Sequence, residues 1–175
     1  MKKVLRQGRS TLTSTFQQYK ILSLNCLISA YTMSALYLDG VKMGDYQATF
    51  LGLGISILFM ILSFNTPLKK LYREKPPTSI FHWSLVVSVS VQFVVHLSVL
   101  VYFVYLCEPY IDREKDVDLD GEFAPSLKNT VCFIYEWWNH ITVISVNYYG
   151  RPFTQSISES KKLRNGLIFM YFIAV

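Results

Sequence analysis

The chain has 175 residues, 51% of them hydrophobic and 15% aromatic, with 17 Lys and Arg against 12 Asp and Glu for a formal charge of +5. Its apolar residues are gathered into runs rather than spread, which excludes an ordinary soluble domain and points to a membrane protein. The positive charge does not mark a nucleic-acid partner, because the basic residues flank the apolar runs instead of forming one stripe interleaved with aromatics.

Leu5 to Leu38 reads as one helix, followed by a turn at Asp39-Gly40-Val41-Lys42. Its roughly 34 residues at about 1.5 Å each would reach about 50 Å, past the roughly 30 Å hydrocarbon core. Only the second half, Tyr19 to Leu38, is therefore expected in lipid, and residues 1–18 form a polar, basic stalk on the cytosolic side. No compact apolar core ending in small residues precedes this span, so it is expected to act as its own insertion signal. Thr11, Ser14, Gln18, Asn25, Ser29 and Thr32 are spaced by three, four or seven positions and share a helical face. Such a face either bonds neighbouring helices, at roughly 1 kcal/mol or less per contact, or lines a translocation cavity. Lys20 is expected to snorkel to the interface.

The second span, Tyr46 to Phe64, carries Ala48, Gly52 and Ser56 at four-residue intervals, a small-residue seam suited to close packing. A basic linker over 65–79 holds Lys69, Lys70, Arg73 and Lys75 and ends in Pro76-Pro77-Thr78-Ser79, a helix stop that separates a first hairpin (19–64) from a second (80–147). In the third span, Ile80 to Leu106, Ser84, Ser88, Gln92 and His96 make a second polar stripe. No second histidine lies on that face to form a relay, which favours a structural role for His96.

The loop 107–126 carries Glu108, Asp112, Glu114, Asp116, Asp118, Asp120 and Glu122 and is assigned to the lumenal side, opposite the basic segments. Asp116 to Gly121 matches the first half of a calcium loop, but position twelve is Leu127 and Pro125 interrupts it, so a solvated acidic loop is expected. The fourth span, Leu127 to Asn147, holds Glu136 near its midpoint. An isolated carboxylate there would cost a few kcal/mol, and His140, four residues on, is the expected partner. Structural pairing and a functional cavity both remain open for them. Trp137 and Trp138 are unexpected at mid-depth, since tryptophan favours the interface. A basic linker (148–165) returns the chain to the cytosolic side, and the apolar run 166–175 is about half of a crossing, as a truncated membrane helix would be. Cys26 and Cys132 fall inside spans and Cys107 at the external boundary, so neither a disulfide nor a metal site is expected.

Several strings say more than their chemistry. Gln7-Gly8-Arg9-Ser10-Thr11-Leu12, Lys20-Ile21-Leu22-Ser23-Leu24-Asn25, Leu27-Ile28-Ser29-Ala30-Tyr31 and Leu36-Tyr37-Leu38-Asp39-Gly40-Val41-Lys42 closely resemble the fifth membrane helix of type V, subclass A P-type ATPases. The resemblance continues through Arg73-Glu74-Lys75-Pro76, Gln92-Phe93-Val94-Val95-His96, Glu122-Phe123-Ala124-Pro125-Ser126-Leu127, Asn147-Tyr148 and Pro152-Phe153. It implies an all-α membrane protein whose four spans match family helices five to eight, with the last run opening helix nine. It also implies an endoplasmic reticulum pump that uses ATP and Mg to extract mistargeted transmembrane helices, with the remaining domains of the ATPase, the lipid bilayer and those helices as partners.

The family's Asp-Lys-Thr-Gly phosphorylation motif and Gly-Asp-Gly hinge are absent from this sequence. The chain alone is therefore expected to bind no cofactor and to hydrolyse no ATP. The residues put forward for a substrate cavity or helix packing are Gln18, Asn25, Ser29, Thr32, Gln92, His96, Glu136 and His140. The alternative is a stand-alone, non-enzymatic four-span protein that associates with other membrane helices.

Overall fold

The computed structural model describes all residues except 65, 71, 77, 78, 80, 111–122 and 175. The acidic residues from Asp112 to Glu122, with the calcium-like string, lie outside the described residues, as do Pro77 and Thr78 of the expected helix stop. Among the described residues the chain is helical, with no strand beyond one isolated bridge between Pro67 and Thr154. In order, the helices are α1 (Lys2–Tyr37), α2 (Asp45–Ser63), α3 (Trp83–Cys107), α4 (Leu127–Asn147) and α5 (Lys161–Ala174), with a 3-10 turn (Glu108–Tyr110) after α3. By length and composition, α2 and the stretch Trp83–Tyr110 could each cross a membrane. The helices α1 and α4 fall short of that hydropathy because each devotes a face to amides and charges.

Local chemistry explains the boundaries. α1 runs unbroken because it contains no proline, and its only glycine, Gly8, lies in the exposed first turns. It stops where Gly40 takes a φ of 65°, a conformation that glycine adopts without steric cost. There the N–H groups of Asp39, Gly40 and Val41 bond back to the carbonyls of Leu36 and Tyr37, closing the helix end. Gln47 caps α2 by accepting from the Gly44 N–H at 3.0 Å. Ser126 caps α4 through its hydroxyl, which accepts from the Asn129 N–H at 3.1 Å.

Side-chain pairs set the packing. α1 runs antiparallel to α4, since Gln17 meets Asn147, Ser29 meets Glu136 and Lys128 reaches Ala35. It packs also on α3 and only lightly on α2, which turns instead toward α4 and α5. One apolar core joins Ile21 and Leu24 of α1 to Leu58, Trp137, Ile144 and Met170, and a second joins Ile28 and Leu36 to Leu100 and Cys132.

The close approach on α2 is not made by the expected seam. Ala48, Gly52 and Ser56 are exposed, and a Cβ on Gly52 would meet nothing within 4 Å. The tight site is Gly54, where a Cβ would fall 2.6 Å from the Trp137 ring and 3.0 Å from Met170 Cε. Both glycines are flanked by leucine or isoleucine in sequence, and the bulk of the facing side chain selects one of them. The same contact explains the tryptophans: Trp137 covers Gly54, stacks on Phe50 at 4.5 Å and donates to the Met170 carbonyl, while Trp138 meets Tyr171 edge-on. They are packing residues between helices rather than interface anchors.

At the N-terminal end of α1 the two linkers are drawn together. Arg6 donates to the Lys69 carbonyl, and Arg9 donates to those of Tyr72 and Glu74, at 2.6–3.2 Å. The Leu68 N–H donates to the Phe153 carbonyl beside the Pro67–Thr154 bridge. In the second linker Arg151 pairs with Glu159. That guanidinium, together with the Ser156 N–H, holds the Glu159 carboxyl well below its usual range, at about 2.

Candidate functional site: a polar seam between α1 and α4

A line of buried polar groups follows the contact between α1 and α4 and has three levels. Nearest the N-terminus of α1, Gln17 donates to the Asn147 carbonyl at 3.1 Å. The Asn147 and Gln92 side-chain amides exchange two hydrogen bonds, at 2.7 and 3.1 Å, as complementary planar groups can. Gln92 also donates to Ser88 Oγ, which accepts in addition from Lys20 Nζ at 2.7 Å. Lys20 therefore turns inward and is only 7% exposed, where snorkelling was expected.

At mid-length Ser29 Oγ donates to Glu136 Oε1, and Asn139 Nδ2 makes a long 3.5 Å bond to Asn25 Oδ1. Asn25, Glu136, Asn139 and His140 are each under 5% exposed. Four of their polar atoms, Asn25 Nδ2, Glu136 Oε2, Asn139 Oδ1 and His140 Nδ1, have no hydrogen-bond partner among the described residues. Glu136 thus takes its hydrogen bond from across the interface, from Ser29, and no bond joins it to His140 among the described residues. The third level lies at the other end, where buried Lys128 donates to the Ala35 carbonyl and pairs with Asp39, and Asn129 Nδ2 donates to the Lys42 carbonyl.

The structure pairs Ser29 with Glu136 and Asn25 with Asn139, and buries His140 one turn along α4 from Glu136. Thr32 is buried one turn further on but spends its hydroxyl on the Ile28 carbonyl of its own helix. Gln92 joins the first level, while Gln18 lies apart, donating to Ser63 Oγ on α2 at 3.3 Å. His96 also stands outside the seam, beside Tyr135 and Asn139 in a groove between α3 and α4, and its carbonyl accepts from the Tyr135 hydroxyl.

Sequence reasoning passed over Gln17, Asn139, Asn147 and Lys128 as site residues. For Gln17 a signal existed, since it lies eight positions before Asn25 and fifteen before Thr32 and so shares their face. Polarity alone did not choose between adjacent Gln17 and Gln18.

Chemically the seam is a set of amides and hydroxyls with one carboxyl and one imidazole. Each buried group left unpaired costs about 1–3 kcal/mol, so the middle level is a polar surface held ready within an apolar bundle. Among the described residues no three His, Cys, Asp or Glu side chains come together as a metal centre would require.

Comparison with known proteins gives this arrangement its context. Over 168 residues, 94% of its length, the chain is 45% identical to an endoplasmic reticulum transmembrane helix translocase of Aspergillus fumigatus. Over the same span it is 46% identical to the translocase of that name from Saccharomyces cerevisiae. The chain belongs to this family, the type V, subclass A P-type ATPases. A further relative, 44% identical over 165 residues, is the probable manganese-transporting ATPase of Arabidopsis thaliana. No protein-family model matches the chain. It spans 13–14% of the length of these relatives, and within the family it is a helical segment bearing the α1–α4 seam.

Proposed function

We propose that the chain forms helices five to eight, and the beginning of helix nine, of the membrane domain of an endoplasmic reticulum transmembrane helix translocase. On this reading α1 to α4 each cross the bilayer, the N-terminal end of α1 is cytosolic, and α1 is the lever that links an ATP-hydrolysing domain to the membrane. At about 1.5 Å per residue its 36 residues extend about 54 Å, which leaves a stalk outside the hydrocarbon. The grip of Arg6 and Arg9 on the 66–76 linker couples that stalk to the helices behind it. ATP and Mg would be bound by the catalytic domains of the whole enzyme, whose signature motifs this sequence does not contain.

The observation that carries the reading is the cluster of four unpaired polar atoms at the middle of the seam. A face of amides and a carboxyl inside a membrane bundle can exchange hydrogen bonds with the polar positions of a mistargeted helix that lipid would reject. The manganese named for the plant relative is a less fitting cargo, because the donors here are mainly neutral amides and hydroxyls. Glu136→Gln in the full-length enzyme tests this, since the amide keeps the Ser29 contact and removes only the acid. Extraction of model helices is expected to fall several-fold with expression unchanged. Wild-type extraction would confine Glu136 to packing.

A further inference from the structure

Two neighbouring cavities near the N-terminal half of α1 together have the form of a lipid site. The first, about 390 Å³, opens between α1, the start of α3 and the two linkers. Its walls include Lys20, Arg151, Ser84, Ser88 and Tyr149, with Glu74 as the carboxylate among the lining residues. The second, about 210 Å³, continues along the α1–α3 face. It shares Phe16, Lys20 and Leu85 with the first and is otherwise walled mostly by apolar side chains such as Val86 and Val89.

Lys20 is the central observation. It is 7% exposed, its hydrogen bond goes to the neutral Ser88 hydroxyl, and among the described residues no ion pair joins it to a carboxylate. A buried ammonium without a counter-charge is costly unless an anion reaches it. Arg151, which pairs with Glu159 through Nε and Nη2, also lines this cavity, and the hydroxyls of Ser84, Ser88 and Tyr149 add donors suited to phosphate oxygens. Basic pockets between membrane helices recognise anionic headgroups in this way. On the proposed reading that α1 and α3 both cross the bilayer, the cavity falls near the membrane surface. Lys20 stands where the apolar half of α1 begins, and Ser84 and Ser88 lie in the first turns of α3, itself apolar enough to span.

We infer that the two cavities bind one anionic phospholipid, its phosphate held by Lys20 and Arg151 and one acyl chain lying in the α1–α3 groove. The shared chemistry is a phosphate group, and the groove is what favours a lipid over free phosphate.

The full chain in detergent micelles, titrated with dioleoyl phosphatidic acid and followed by native mass spectrometry, tests this. Retention of phosphatidic acid over dioleoyl phosphatidylcholine or phosphatidylethanolamine should be roughly fivefold, as one cation without a counter-charge near a headgroup warrants. Lys20→Met should abolish the preference, Lys20→Arg should keep it, and Val86→Trp should weaken lipid retention by filling the groove. Circular dichroism on each variant separates lost binding from lost folding. Equal retention of the three lipids, or an unaltered preference in folded Lys20→Met, overturns the inference. Inorganic phosphate displacing the lipid at equal concentration would overturn the lipid assignment in favour of a free phosphate.

Discussion

Adding one methyl group at Gly54 separates packing from helix propensity. An alanine there would place its Cβ 2.6 and 2.9 Å from two Trp137 ring atoms and 3.0 Å from Met170 Cε. The ring has little room to yield, because it is stacked on Phe50 at 4.5 Å and donates to the Met170 carbonyl at 3.3 Å. Overpacking of this kind costs about 1–3 kcal/mol. Alanine also gains up to about 1 kcal/mol over glycine inside a helix, which would blur a single measurement. Gly52→Ala supplies the control, since it earns the same propensity gain and meets nothing within 4 Å. The difference between the two variants is therefore the clash alone, about 1–3 kcal/mol. At about 2–4 °C per kcal/mol for a chain of this size, Gly54→Ala should melt roughly 2–12 °C below Gly52→Ala in the same detergent. Near- and far-ultraviolet circular dichroism melts, with a thiol-reactivity assay on buried Cys132 as a second probe, read this out. Equal shifts in both variants would refute the placement of Trp137 over Gly54.

Two more outcomes follow from charged pairs. Asp39→Asn removes the partner of Lys128, whose side chain is 3% exposed against 25% for Asp39. Chemical denaturation in micelles should show a loss of about 2 kcal/mol, below the range for fully buried pairs because Asp39 is partly wet. The double change with Lys128→Met should recover most of it, and failure of that rescue would mean the pair is not the cause. In the second linker the folded Glu159 carboxyl is depressed to about 2 from its ordinary 4.5, so its contribution is present above the unfolded value and lost as pH falls through the folded one. Carboxyl chemical shifts should place its midpoint near 2 and return it toward the ordinary range in Arg151→Gln; an unshifted wild-type midpoint would contradict the contact.

Much of the helical plan was legible because it rests on properties that neighbours in sequence carry. The expected fourth span, Leu127 to Asn147, has the bounds of α4, since Ser126 is a strong cap and Tyr148 takes an extended conformation that ends the helix. The long first helix likewise follows from a run without proline. The candidate site was legible in part, and for a physical reason. Asn25, Ser29, Glu136 and His140 stand out because polar groups are expensive among apolar neighbours, and the structure joins Ser29 to Glu136 and buries Asn25 and His140. Spacing on one helix, however, says nothing of what stands opposite. Glu136 was paired by sequence with His140 on its own helix, and its bond comes instead from Ser29, 107 positions away.

Sequence by itself therefore determined the class, the helices and the family, because turn chemistry, hydrophobic runs and shared strings are local or additive. Tertiary structure alone decided which face of each helix is inside. It selected Gln17 over Gln18, Gly54 over Gly52, and an inward Lys20 over an outward one. Each of those choices depends on the volume and hydrogen-bonding groups of a facing helix far away in the chain, and adjacent residues of like polarity differ in nothing else.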